Sequence, residues 1–173
     1  MTDSAILRFY RGSGDSQGRS LDQIWAWPPE WLESTHDYIQ WLFPLDEPSD
    51  FNSHAPILTG DDIAAFRNDP LLQASLQQSL DVMLRFYGLE SESESGRITR
   101  SRQFGQRAGI WLTPDNHNHL RLTRILKSLT LLGLEESATR LFKALEEIYV
   151  NSTGRIGRKS YEFWKAAVRR VNG

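Results

Sequence analysis

The chain of 173 residues predicts an all-α fold: a single globular domain of about six irregularly packed helices. Three observations carry that expectation. Apolar residues recur at three- and four-residue spacing in several segments; Ser, Thr, Asn or Asp precedes those segments and Gly or Pro follows them; and no segment shows sustained strand alternation bounded by hairpin turns.

In chain order, a short apolar segment, Ala5 to Tyr10, leads into RGSGDSQGRS, whose glycine and serine content predicts a flexible loop over 11–20. Ser20 is placed to cap a short helix through Trp27. Pro28-Pro29 interrupts it before a second helix from Glu30 to Phe43, which Pro44 stops. The segment LDEPSDFNSHAPIL reads as irregular connection. Thr59 then precedes GDDIAAFR, a cap with acids in the first turn, where they complement the helix dipole. Asp69-Pro70 and Gly88 bound one long helix with Leu72, Leu76, Leu80, Met83 and Tyr87 on its apolar face. SESESG predicts a second flexible, solvated loop over 91–98. Arg97, Arg100, Arg102 and Arg107 follow as a basic cluster that either approaches an anion or solvates its segment. Asn116 caps the next helix and Gly133 ends it. An amphipathic helix from Glu135 to Val150 and a last one from Arg158 to Val171 complete the set.

The totals bound the function. Apolar residues make up 39% and charged residues 24%, close to globular averages, so neither a disordered nor a membrane-embedded chain is expected. A formal charge of −2 argues against broad nucleic-acid binding, which needs a basic excess. The absence of cysteine excludes disulfides, thiolate zinc sites and a cysteine nucleophile. No signal-peptide pattern and no apolar run of ~18 residues is present, so the chain is read as cytoplasmic without a membrane span. Four of six tryptophans, Trp25, Trp27, Trp31 and Trp41, fall in one short region, as a heavy core element or an aromatic-lined cleft.

The helix HNHLRLTRILKSL raises a sharper question. On a wheel of about 100° per residue that starts at His117, Leu122, Ile125, Leu126, Leu129 and Leu132 cover one arc, and Leu120 and Leu131 a second. His117, Arg121, Arg124 and Ser128 occupy the gap between them, and His119, Thr123, Lys127 and Thr130 form the wet face. Arginines flanked by leucines on both sides must be paired or must face a cavity, because a lone buried charge is costly. Structural ion pairs to Asp46, Glu47, Asp61 or Asp62 and an anion-accepting pocket built on Arg121, Arg124 and His117 are about evenly balanced. In HDYIQWLFP, His36 and Gln40 lie together at the border of a core face made by Trp31, Leu32, Tyr38, Ile39, Leu42 and Phe43, while Trp41 points away from it. A structural hydrogen-bonded pair is the commoner meaning of such a His and Gln. His117 and His119 are two residues apart and face different ways, no metal-ligand spacing occurs, and no cofactor is expected.

The motifs His36 to Pro44, Leu45 to Pro48, Met83 to Gly88 and Asn118 to Leu129, with Leu132-Gly133-Leu134 behind them and Phe9-Tyr10-Arg11 ahead, resemble the conserved N-terminal region of the opioid growth factor receptor family. The resemblance implies receptor activity and peptide binding, since the animal receptor is described as binding an enkephalin peptide and acting at the nuclear periphery to restrain growth. With no repeat-rich tail after that region, the expected form is a compact, microbial one.

The leading expectation is therefore a soluble α-helical ligand-binding or interaction module. Arg121 and Arg124 would hold the anionic group of a small molecule or peptide, His117, His36, Gln40 and Ser128 would supply hydrogen bonds, and Trp41 an apolar wall. The alternative is an uncharacterised enzyme acting on a phosphorylated or anionic small molecule, with a histidine as general acid or base and the arginines stabilising developing charge. Nucleic-acid binding through Arg97, Arg100, Arg102, Arg107 and Lys127, and self-association through exposed Trp41 and Trp164, complete the candidates.

Overall fold

The computed structural model describes residues 2–169. Among them are ten helices: α1 (Ala5–Tyr10), α2 (Leu21–Trp25), α3 (Pro29–Ser34), α4 (Ile39–Leu42), α5 (Gly60–Asn68), α6 (Pro70–Tyr87), α7 (Phe104–Trp111), α8 (His117–Leu131), α9 (Glu135–Asn151) and α10 (Arg158–Ala167). One antiparallel pair, β1 (Leu89–Ser91) with β2 (Ile98–Arg100), joins them. The chain is predominantly helical and forms two compact units, divided between Ser79 and Leu80 within α6.

In the first unit the helices are short, and capping chemistry sets their limits. Ser4 caps α1, while Ser20 with Gln23 and Thr59 with Asp62 form reciprocal capping boxes at α2 and α5. Aromatic rings fill the core. Phe9 meets Trp41 and Tyr10 edge-on at 5.3 and 5.7 Å, and Tyr10 meets Phe66 at 5.0 Å. The buried Tyr10 hydroxyl donates to the Leu42 carbonyl at 2.5 Å and pairs with Ser79 Oγ, which also accepts from Trp25 Nε1 at 3.0 Å. Burial pushes the Tyr10 phenol above its ordinary range.

Two expectations for this unit need correction. The helix predicted from Glu30 to Phe43 is broken: α3 ends at Ser34, Thr35 is extended, and α4 begins at Ile39. The Tyr38 hydroxyl donates to the Leu32 carbonyl at 2.8 Å, the oxygen to which His36 N–H would bond in a continuous helix, so a buried side chain replaces the backbone ladder. Trp41 is buried against Phe9 instead of pointing away from the core, and Trp31, assigned to the core face, is 57% exposed. Residues 11–20 are organised around Asp15, whose buried carboxylate accepts from the backbone N–H groups of Gln17 and Arg19 and pairs with the Arg19 guanidinium at 2.8 Å.

In the second unit, α8 packs on both α9 and α10, and β2 lies against α9. The region 91–98, expected as a flexible loop, holds the hairpin turn and the ends of both strands. Its pairing was hidden because three-residue strands are too short to show alternation. The expected basic cluster is split between hairpin and helix: Arg97 and Arg100 belong to the hairpin, Arg107 to α7. Arg107 Nε donates to the Phe86 carbonyl, and Arg100 sits over the Phe104 ring. Gly88 takes φ +79°, and a Cβ there would lie 2.7 Å from the Phe104 Cα, so the turn after α6 requires glycine. Val171, assigned to the last helix, lies outside the described residues.

Candidate functional site

The seven residues singled out from the sequence divide between the units. His36, Gln40 and Trp41 are in the first and His117, Arg121, Arg124 and Ser128 in the second. His36 and Gln40 do not share a helix face: His36 is exposed in the break between α3 and α4, whereas Gln40 is buried in α4 with its Oε1 3.5 Å from Asn52 Nδ2. Trp41 and Trp164 are both buried, which removes them as surface anchors for self-association.

On α8 the stripe of His117, Arg121, Arg124 and Ser128 starts at the surface and alternates in burial along the helix. Asn116 caps the helix by accepting from the Asn118 N–H at 2.9 Å, and His117, the first helical residue, is exposed. One turn on, Arg121 is only 6% exposed, with its NH1 3.4 Å from Asn118 Oδ1. Arg124 is half-buried and Ser128 fully buried.

The rest of the wheel is rotated from its expected setting. Leu120, assigned to a second buried arc, is 51% exposed, while His119 and Thr130, assigned to the wet face, are buried. The cause is α10. Its Trp164 Nε1 donates to the His119 carbonyl at 3.0 Å, and the two rings meet edge-on at 5.6 Å. The arginines are therefore enclosed on one side by the large leucine arc, and on the other they border the half-open edge that carries Leu120, Lys127 and Leu131.

His119 is the residue that the sequence reading missed. Its Nε2 lies 2.7 Å from the Trp111 carbonyl, which can only accept, so Nε2 carries the proton and Nδ1 accepts from the Ser160 hydroxyl at 3.3 Å. Burial lowers its pKa below the ordinary 6.5, against a smaller opposing effect of the Trp111 hydrogen bond. A neutral imidazole satisfied on both nitrogens ties α7, α8 and α10 together and serves packing. Among the described residues no group of three or more His, Asp or Glu could hold a metal ion, and no helix is long and apolar enough to cross a membrane.

Comparison with known proteins places these features in context. Residues 2–172 match the family model of the opioid growth factor receptor conserved region. The chain is 42% identical to the mouse opioid growth factor receptor over 74% of its own length and 20% of the relative's. It is 38% identical to the human receptor over 86% of this chain and 23% of that protein. With the Xenopus tropicalis opioid growth factor receptor-like protein 1 it shares 32% identity over 96% of the chain and 34% of the relative. The chain thus spans between 20% and 37% of the length of these curated relatives. No solved structure matches it.

Proposed function

Because the chain belongs to the opioid growth factor receptor conserved-region family, we propose that it is a ligand-binding module that accepts an anionic group of a small molecule or peptide on the α8 stripe. The relatives' name is that of a receptor, and a receptor's conserved region is a natural place for recognition. The observation that carries the reading is the burial of Arg121 and Ser128 on the same stripe as half-buried Arg124 and exposed His117. A guanidinium held in a partly dry setting binds an oxyanion more strongly than a solvated one, because its planar fork is already oriented and the local dielectric is low. His117 at the open end would add a hydrogen bond.

The test is calorimetric titration of the wild type with acetate, inorganic phosphate and short peptides with a free or an amidated C-terminus, repeated on Arg124→Gln and Arg121→Gln. The expected result is one anionic class that binds the wild type and loses about tenfold or more in Arg124→Gln, with the circular dichroism of that variant unchanged. Equal affinity in wild type and Arg124→Gln, or unfolding by Arg121→Gln with no anion bound by the wild type, would return the arginines to a structural role.

A further inference from the structure

The second unit also contains a groove that shares no residue with α8. A cavity of about 410 Å³ opens between the hairpin and α9, with Arg97 from the hairpin and Arg140 and Lys143 from α9 among its walls. A second lobe of about 200 Å³ shares Arg97, Ile98, Ala144 and Glu147 with it and adds Leu89, Arg100 and Ile148. The two lobes gather four cations, Arg97, Arg100, Arg140 and Lys143, against a single carboxylate, Glu147. That local excess stands out in a chain of formal charge −2.

The sequence builds the groove in two steps. Arg140, Lys143, Ala144 and Glu147 follow the three- and four-residue spacing that puts them on one face of α9. Gly96, with φ +68°, turns the hairpin so that the Arg140 guanidinium lies across it, in space that a Cβ at this position would occupy. Arg140 is held from behind by Glu136 at 2.6 Å, and Arg97 meets Glu147 only at 3.6 Å. Lys143 makes no ion pair with a described residue. Exposed pairs of this kind contribute little, so an entering anion displaces them at small cost.

We propose that this groove binds a small phosphate ester, with the phosphoryl group among Arg97, Arg140 and Lys143 and the organic portion in the lobe formed by Ile98, Ala144 and Ile148. Three cations approaching from two elements suit a tetrahedral dianion, whereas a planar carboxylate is satisfied by one bidentate arginine. The buried side chains Ile98, Ile148 and Leu89 give the second lobe an apolar floor beneath Arg97, Arg100 and Glu147, and its volume suits a single ring or a short chain. The inference goes beyond the α8 reading and does not depend on it.

Amide NMR of the isotope-labelled whole chain, titrated with phenyl phosphate, inorganic phosphate and phenol, tests it. Phenyl phosphate is expected to shift amides in 95–100 and 140–148, to bind about fivefold or more tighter than inorganic phosphate, and to lose about tenfold in Lys143→Gln and in Arg140→Gln. Arg124→Gln, on α8, should leave these shifts unchanged, which separates this site from the one proposed above. Absence of shifts in 95–100 and 140–148, or full affinity at those amides in the Arg140→Gln, Lys143→Gln double variant, would overturn the site. Equal affinity for phenyl phosphate and inorganic phosphate would overturn the ester.

Discussion

His119 shows how one residue couples burial to pH. Its folded-state pKa is lowered chiefly by burial, so below the ordinary value of 6.5 the unfolded chain binds a proton that the folded chain resists. Its contribution to stability is complete above 6.5 and declines as pH falls from there toward the lowered folded pKa. Urea midpoints should therefore drop between neutral and mildly acid pH, and His119→Gln should flatten that part of the profile; an identical slope in both proteins would assign the pH dependence to other groups. Tyr10→Phe removes the donor to the Leu42 carbonyl in a buried setting, which should cost about 1–3 kcal/mol by urea denaturation. Gly88, just before the hairpin, and Gly96, in its turn, make a graded pair. Gly88→Ala meets backbone at Phe104, whereas Gly96→Ala meets only the movable end of Arg140. Both are strained by positive φ, yet Gly88→Ala should destabilise by at least about 2 kcal/mol and Gly96→Ala by about 1 kcal/mol.

At the scale of elements, helix existence was readable and helix orientation only in part. The caps at Ser20, Thr59 and Asn116 and the Pro70 to Gly88 boundaries act within a few residues, so they are visible in the chain itself. The break between α3 and α4 was not, because Tyr38 supplies it by folding back onto Leu32, a choice decided by burial of the ring. The setting of α8 was misread for a related reason: its polar-looking face receives α10, through a contact between residues 45 apart in sequence. That rotation yields a direct comparison. Thr130→Lys, at a position that looks wet on the wheel but is buried, should cost several kcal/mol, on the order of 3 or more. Leu120→Lys, at a position that looks apolar but is half exposed, should change stability by no more than about 0.5 kcal/mol. Thermal or urea midpoints of the two variants in the reverse order would mean that the wheel was right and the packing wrong.

At the scale of the whole molecule, a net charge of −2 conceals an uneven distribution. The groove between the hairpin and α9 holds four cations and one carboxylate, so Glu147→Gln should strengthen phenyl phosphate binding about two- to fivefold and steepen its loss with added salt, measured by titration at low and physiological ionic strength. The Arg97 to Arg107 stretch hinted at this basic character, but Arg140 and Lys143, which complete the groove, lie some 40 residues further on and carried no local signal. The arginine stripe of α8 was legible because i, i+3, i+4 and i+7 spacing is a property of any helix, and the family was legible in the motifs around Tyr38 and Arg121. The helical class, most helix boundaries and the family could therefore be read along the chain, because they rest on interactions between near neighbours. Which faces are wet, where the helix from Pro29 breaks, the packing role of His119 and the meeting of a hairpin with α9 to form a groove came from long-range packing. Those outcomes depend on which distant surfaces meet, and burial against a partner outweighs the fractions of a kcal/mol by which local propensity favours one setting over another.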